Sequence, residues 1–367
     1  MIKQTNSLIS HSIVNKIFIL GLHSEGLNEN EKQGQSIYIK RIKLRTRNLP
    51  KSPFFQAIKY IEFFLKVILF SKNKNIDIVN VHLLYLLPIG VIIKYLTKSK
   101  LVYDAHELET EVEGLKGLRK YLSKIVEKFL IRQVDLTIVV GREIEKWYLK
   151  EYGKIPIVTV MNCPIYQHIE KSDLLRQELK IPRRYKIVLY QGGFGTARGI
   201  QLLLEAFKNK DIQGEFAIVF MGYGEYESDI RVASRQHANI FFMPAVDPSI
   251  ILNYTSSADI GISLIQDSNL SDHYCLPNKL FEFIMARLPV VISNLPEMRG
   301  IVEKYDIGRV LNKWSAIELV YLLQNIDVTS FSDEVKVNLR IASSDLSWEE
   351  QEKEMIKGYV KYIIKCK

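Results

Sequence analysis

Short apolar runs that read as buried strands alternate with helical stretches along most of this sequence, and the alternation occurs twice. Repeats of this kind need crossover connections, and crossovers give parallel sheets with helices packed on their faces. In the first half the spacing predicts strands at Lys16–Leu20, Ser36–Leu44, Ile76–His82, Leu101–Tyr103, Leu136–Val140 and Ile157–Met161. Helices are expected at Phe54–Phe70, Leu118–Gln133 and Arg142–Tyr152. The second half repeats the alternation more cleanly. Its strands read at Lys186–Tyr190, Phe216–Met221, Ile240–Met243, Ile260–Leu264 and Val290–Ser293, with helices at Gly199–Lys208, Tyr226–Gln236, Pro248–Ser256, Asn278–Ala286 and Glu297–Lys304. A chain of 367 residues exceeds one ordinary core, so two α/β domains are expected.

Asn162-Cys163-Pro164 and the polar stretch Gln167–Arg184, with Pro182, read as the connection between them. The division falls at 1–165 and 166–345. An amphipathic helix at Ser347–Ile364 is expected to return to the first domain, and Ser347-Trp348-Glu349-Glu350 resembles a capping box at its start.

Composition narrows the class further. With 47% hydrophobic and 25% charged residues the chain is an ordinary globular one, not a disordered one. No window offers 18 uncharged apolar residues, and the opening dozen residues lack the apolar core of a signal peptide. Cys163, Cys275 and Cys366 have no metal-ligand spacing and suit a reducing, cytoplasmic setting. The net charge of +9 comes entirely from residues 1–150, where 25 Lys/Arg stand against 14 Asp/Glu. That bias points to an anionic partner. Because the basic residues come without a nucleic-acid-binding motif, the negative leaflet of a membrane is the partner expected, as is a peripheral place on the inner face of the cell membrane.

Two stretches carry chemistry. Gln191-Gly192-Gly193-Phe194-Gly195-Thr196-Ala197-Arg198-Gly199-Ile200 follows a strand and opens a helix, where glycines let backbone approach a phosphate. Arg198 at that entrance can grip a diphosphate through paired hydrogen bonds. The spacing is neither Gly-x-Gly-x-x-Gly nor a Walker A loop. In Leu276-Pro277-Asn278-Lys279-Leu280-Phe281-Glu282, Pro277 and Asn278 start a helix, so Lys279 and Glu282 share one face of its first turn. A cation beside a carboxylate suits a ligand with both phosphate and hydroxyl groups, and equally describes an ordinary surface ion pair.

Taken in order, Gly192 to Ala206, Gly222-Tyr223-Gly224, Ser257-Ala258-Asp259-Ile260-Gly261, Pro277 to Glu282, Pro289-Val290-Val291 and Gly308 resemble the donor domain of the retaining GT4 (group 1) glycosyltransferases. Tyr103-Asp104-Ala105-His106-Glu107 and the later Glu127, Val134-Asp135, Val139-Val140, Tyr152-Gly153 and Asn162-Cys163-Pro164 are similar to the family's first domain. The resemblance implies the GT-B fold: two facing Rossmann-like α/β domains, the second binding a nucleotide-sugar. It implies that Glu282 holds the donor ribose, that Arg198 and Lys279 neutralise the leaving diphosphate, and that His106 lies by the transferred sugar. The base would rest near Met243, Ala245 and Val246, with Gly192, Gly193, Gly195, Gly222, Pro277, Asn278 and Leu280 completing the donor site.

The sequence departs from the family at three points. Tyr274 stands eight residues before Glu282, where many members have a second glutamate. The helix that Ile2–Leu8 resembles is not preceded by the family's first strand and glycine loop, so either the true start lies upstream or the first domain is short of that part of its acceptor-side cleft. Gly193-Phe194-Gly195 carries more glycine than the usual loop. There is no Asp-x-Asp pair, so no metal and no cofactor is expected; Arg198, Lys279 and a helix N-terminus would stabilise the leaving group instead. The function expected is retaining transfer of a sugar from a nucleotide-sugar to a glycan or lipid-linked acceptor, of the kind used in bacterial surface polysaccharides. An inactive nucleotide-sugar binding protein and a nucleotide-sugar epimerase of the same fold are the alternatives.

Overall fold

The structure is a computed structural model that describes residues 2–326 and 333–364; Met1, residues 327–332 and the last three, Cys366 among them, lie outside the described residues. The first half runs α1 (Ile2–Ser10), β1 (Ile17–Leu22), β2 (Asn30–Gln33), β3 (Ile37–Ile42), α2 (Pro53–Lys72), β4 (Ile78–Val81), α3 (Leu87–Thr97), β5 (Lys100–Ala105), α4 (Gly117–Leu130), β6 (Leu136–Val139), α5 (Arg142–Tyr152) and β7 (Ile157–Thr159). The second continues with α6 (Leu174–Leu179), β8 (Lys186–Gly193), α7 (Ile200–Phe207), β9 (Phe216–Tyr223), α8 (Glu227–Gln236), β10 (Ile240–Pro244), α9 (Ile251–Thr255), β11 (Ile260–Ser263) and α10 (Leu270–His273). It closes with α11 (Asn278–Met285), β12 (Val290–Ser293), α12 (Pro296–Tyr305), β13 (Gly308–Leu311), α13 (Ala316–Gln324), α14 (Asp333–Asp345) and α15 (Trp348–Tyr359).

The second half forms one parallel sheet in the order β10-β9-β8-β11-β12-β13. Both of its faces are buried, so its central strands run through consecutive apolar positions, such as Ile187–Tyr190 and Phe216–Met221, rather than alternate ones. Ile187 and Leu189 join Phe281, Phe283 and Ile284 of α11 on one face; Val188 and Tyr190 join Leu203 and Phe207 of α7 on the other. Gly308, which was matched to the family by sequence, opens an edge strand that periodicity did not reveal. A Cβ there would meet the Val290 carbonyl oxygen at 2.1 Å, so only glycine lets β13 lie against β12.

The first half holds two sheets: β4-β5-β6-β7, all parallel, and β1-β3-β2, in which β2 is antiparallel. The two are not hydrogen-bonded to each other, and a cavity of about 670 Å³ lined by Ile17, Phe18, Ile78, Val79 and Tyr359 separates β1 from β4.

Several local expectations need correction. The polar stretch Gln167–Arg184 is not all connection: it contains α6, whose Leu175 is fully buried in the second core. Helix α3 was missed because Leu87–Thr97 is apolar nearly all round, which removes the 3.6-residue signal. Gly90 lets it sit against the sheet, since a Cβ there would meet Val81 and Leu101 side chains under 3 Å. The helix at Leu118–Gln133 stops at Leu130 and ends in a 3₁₀ turn.

The carboxyl-terminal helix packs on the first half, against β6, β7 and α1. Trp348 is buried among Leu8, Val102, Leu136 and Ile138, and its Nε1–H donates to Ser7 Oγ at 2.9 Å. The capping box expected at its start does not form. Ser347 caps no N–H, because Glu350 turns out to Lys353 and Glu349 accepts from the Tyr166 N–H instead. Trp348→Ala should therefore lower the unfolding free energy by about 3–5 kcal/mol in urea titrations. A loss below about 1 kcal/mol would contradict the packing described.

Candidate active site

The carboxyl ends of β8 and β9 and the amino end of α11 converge on one face of the second domain. Two glycines allow the approach. A Cβ on Gly222 would meet the Gly192 carbonyl oxygen at 1.9 Å, and one on Gly224 would meet the Phe194 backbone at 2.7 Å; both glycines have φ beyond +140°. Phe194 accounts for the glycine-rich turn. Its ring is fully buried against Tyr190, Phe220 and Phe242, and its backbone bonds Tyr223 and Tyr226. Gly193 faces open space, and a Cβ on Gly195 would meet only the Arg198 Cγ at 4.0 Å, so the loop is bare backbone here. Gly199, with φ +72° and Leu264 too near for any Cβ, then turns the chain into α7.

Lys279 on the first turn of α11 points back under this loop, its Cε 3.8 Å from where a Cβ of Gly192 would be. Its ammonium is buried, lies 3.8 Å from the centroid of the Tyr190 ring, and has no hydrogen-bond acceptor. A cation–π contact replaces only part of the lost hydration. Burial, and then the Arg198 guanidinium, push its pKa down to about 7. Arg198 itself is held loosely, with Nη1 3.7 Å from Asp272 Oδ1 and 40% of its side chain exposed.

Glu282 lies one turn further along α11. It accepts a hydrogen bond from Gln191 Nε2, and the Gln191 carbonyl accepts from Thr255 Oγ at 2.8 Å. Burial raises the Glu282 pKa, opposed by the Gln191 bond and by Lys279. Gln191 and Thr255 are buried positioning groups that sequence reading passed over, because a lone Gln at a strand end and a Thr in a short helix carry no pattern. Leu280 is fully buried in the core, so only its backbone faces the loop; Pro277 caps α11 and receives the Leu280 N–H at 3.0 Å. Met243 also turns into the core, which leaves Ala245, exposed, and Val246, half-buried, as the side chains past the end of β10.

In the first domain, β5 ends at Asp104-Ala105 and delivers His106. Sequence reading found His106 but missed its partners. His82 Nδ1 is 3.2 Å from His106 Nε2 and 3.1 Å from Asp104 Oδ2, and Gln4 Nε2 donates to the same Asp104 oxygen at 2.8 Å. Asp104 is buried; burial works to raise its pKa, but the His82 bond, the His106 and His82 charges and the Gln4 bond hold it below its ordinary value. These three side chains have ligand atoms within 4.8 Å of one another and could hold a metal ion. As found, their ring nitrogens are engaged with each other and with the carboxylate.

Three contacts stitch the two halves around the cleft. Lys3 of α1 bonds Asn162 Oδ1 at 3.0 Å and the Cys163 carbonyl, and Asn162 Nδ2 donates to Asn278 Oδ1 at 2.9 Å beside Lys279. Leu270 and Tyr274 pack onto the first domain's core, so Tyr274, at the family's second-glutamate position, faces protein. Glu297 accepts the Glu143 N–H at the start of α5, capping a helix of the other half, and a Cβ on Gly141 would meet its Oε1 at 2.4 Å.

The depressed Lys279 pKa has a definite sign in stability. Below pH 7 the lysine is protonated both folded and unfolded, and the fold bears the full cost of a buried, unpaired ammonium. Between about pH 7 and the unfolded value of 10.5 the unfolded chain binds the proton and the folded one does not, so stability rises with pH. Lys279→Met should therefore stabilise the protein near pH 6 and lose that advantage as pH climbs from 7 to 10, measured by thermal unfolding. A pH-independent difference would contradict the burial described.

Comparison with known proteins follows this geometry. Residues 171–326 match the family described as glycosyl transferases group 1, and residues 17–165 match glycosyltransferase family 4. A chitobiosyldiphosphodolichol beta-mannosyltransferase of Candida albicans is 26% identical over 242 residues, 59% of this chain; the chain spans about half, 52%, of that relative's length. Among solved structures, a sucrose-phosphate synthase from Thermosynechococcus elongatus superposes with a TM-score of 0.78 at 16% identity, over 98% of this chain and 92% of that one. Anabaena HepE in complex with UDP-glucose gives 0.64 at 15% identity, covering 88% and 86%, and a glycosyltransferase from Rickettsia africae gives 0.65 at 15%, covering 99% and 94%. These likenesses fix the fold, and the two family matches together span both halves. The chain belongs to the GT4 (group 1) glycosyltransferases and has their GT-B fold.

Proposed function

We propose that this glycosyltransferase moves a sugar from a nucleotide-sugar to a lipid-linked or surface-polysaccharide acceptor, with retention of configuration and without a metal ion. The observation that carries the reading is the buried Lys279 ammonium, which has no hydrogen-bond acceptor among the described residues, under a glycine loop and beside Arg198. A diphosphate seated there supplies the missing anion. The backbone of exposed Gly193 and half-buried Gly195, Arg198 and Lys279 then meet the charge that grows on the leaving group as the glycosidic bond breaks. The Glu282 carboxylate, oriented by Gln191, accepts from ribose hydroxyls, and the base lies against the chain at Ala245–Val246.

His106 faces the donor site from the opposite domain. Its contact with His82, anchored by buried Asp104, fixes the ring, which suits a hydrogen bond to a sugar hydroxyl or a donor phosphate oxygen. We assign no protein nucleophile. In retention the acceptor attacks from the leaving-group face. Inversion is a second reading, favoured by the relative in Candida albicans, which is named for a beta-mannosyl product. The anomeric coupling in the product's proton spectrum separates the two.

Glu282→Ala should reduce transfer about ten- to hundredfold, the loss of a charge-assisted hydrogen-bond pair, while its circular dichroism stays that of the parent. EDTA should leave most of the parent activity. Full turnover by the variant would remove Glu282 from the site. Loss of activity on chelation, restored by Mn²⁺ or Zn²⁺, would overturn metal independence and turn attention to His82, Asp104 and His106.

A further inference from the structure

Helices α2, α3 and α4 present their apolar stripes to the outside. Of the fourteen residues of α4 only Glu127 is buried, whereas Leu118 is 71% exposed and Phe129 67%, with Tyr121, Leu122 and Val126 between them on the same face. On α2, Phe54, Ile61, Leu65 and Leu69 fall on one stripe and are all more than half exposed. On α3 the exposed side chains are Ile92, Tyr95 and Leu96. Helix α3 packs against both α2 and α4, so the three stripes lie on neighbouring helices. A helix of a globular domain normally turns such a stripe to its core, and contiguous apolar surface of this kind marks an interaction site.

The charges identify the partner. The three helices contain two carboxylates, and neither is presented: Glu62 is held by the Arg45 and Thr46 backbone and by Lys66, and Glu127 lies buried beneath the hydroxyls of Tyr148 and Tyr152. Lys120 and Lys124 are paired with Glu111, but Lys116, Arg119, Lys128 and Arg132 are exposed along α4 and its ends. The surface is therefore apolar with a cationic border, and its aromatic members, Phe54, Tyr95, Tyr121 and Phe129, are of the type that settles at a membrane interface. Among the described residues no helix is long and apolar enough to cross a membrane, so the surface can lie on a bilayer but not span it.

We propose that α2, α3 and α4 form a docking surface for an anionic lipid bilayer. The inference deepens the lipid-linked acceptor reading. The loop leading into α4, Glu111 to Gly117, lines a pocket of about 440 Å³ with Ser268, Asn269 and Leu270, and Asp272, the partner of Arg198, follows directly. On this proposal a lipid-anchored acceptor beside α4 would approach Arg198 by way of this pocket.

The test is co-sedimentation of the full chain, without donor or acceptor, with phosphatidylcholine vesicles and with vesicles containing phosphatidylglycerol. Binding should need the anionic lipid and fall as salt rises. Arg119→Ser with Lys128→Ser should lower the partition coefficient about twentyfold. Leu122→Asp with Phe129→Asp should abolish binding while leaving the thermal transition of the parent, since both side chains are already in water. Equal recovery in the supernatant from neutral and anionic vesicles at low salt would overturn the proposal. So would a parent dimer in light scattering that the Leu122→Asp, Phe129→Asp variant converts to monomer, because the face would then belong to a second copy. Either failure leaves the donor-site assignment standing, since no nucleotide-sugar enters the measurement.

Discussion

The Lys279 ammonium is taken out of water against the Tyr190 ring and given no acceptor, and the construction around it follows from that. Helix α11 must begin where it does for Lys279 to reach beneath the loop after β8, and Pro277 sets that start. The loop must hug β9 to leave room, which only glycine permits at 222 and 224. Phe194 pins the turn from below, so the neighbouring glycines stay open without the loop collapsing onto the lysine. The unpaired ammonium costs stability in the empty protein. On the proposed reading a dianionic group entering the site relieves that cost, which is how such a site would favour a leaving diphosphate.

A donor site on one domain becomes a transferase only if the facing domain is held at a fixed distance. Lys3, Asn162 and Asn278 make a polar chain across the cleft floor, and Glu297 caps α5 from the other side. Burial raises the Glu297 pKa, and the Glu143 N–H opposes it, so this latch keeps a carboxylate away from water at the domain junction. The carboxyl-terminal helix adds a third tie: after serving the second domain the chain returns, and Trp348 docks into the first domain's core.

Much of this was legible in the sequence, and the failures have physical reasons. The second-domain strands and α5 could be read because buried parallel strands are continuous apolar runs and α5 has a clean amphipathic period. Helix α3 could not, being apolar on all sides, nor could β2, whose Asn30–Gln33 carries no apolar residue and is exposed throughout. At the site, Lys279 and Glu282 were visible as a helical pair, but spacing alone said nothing of whether the lysine was in water. Asp104, His82 and Gln4 come together from a strand, a strand end and the first helix, separations that no local pattern encodes. The apolar stripe of α4 was legible too, but its direction was not, since an inward and an outward stripe have the same sequence period.

The central claim is that the nucleotide's diphosphate is the missing partner of Lys279, and proton uptake tests it most directly. At pH 8 a lysine with a pKa near 7 is mostly neutral, and an adjoining diphosphate should restore its charge. Calorimetric titration of the protein with UDP and with GDP, each in two buffers of different ionisation enthalpy, should show uptake approaching one proton per bound nucleotide, lost in Lys279→Met. Binding heat that is independent of the buffer in the parent protein would contradict the account.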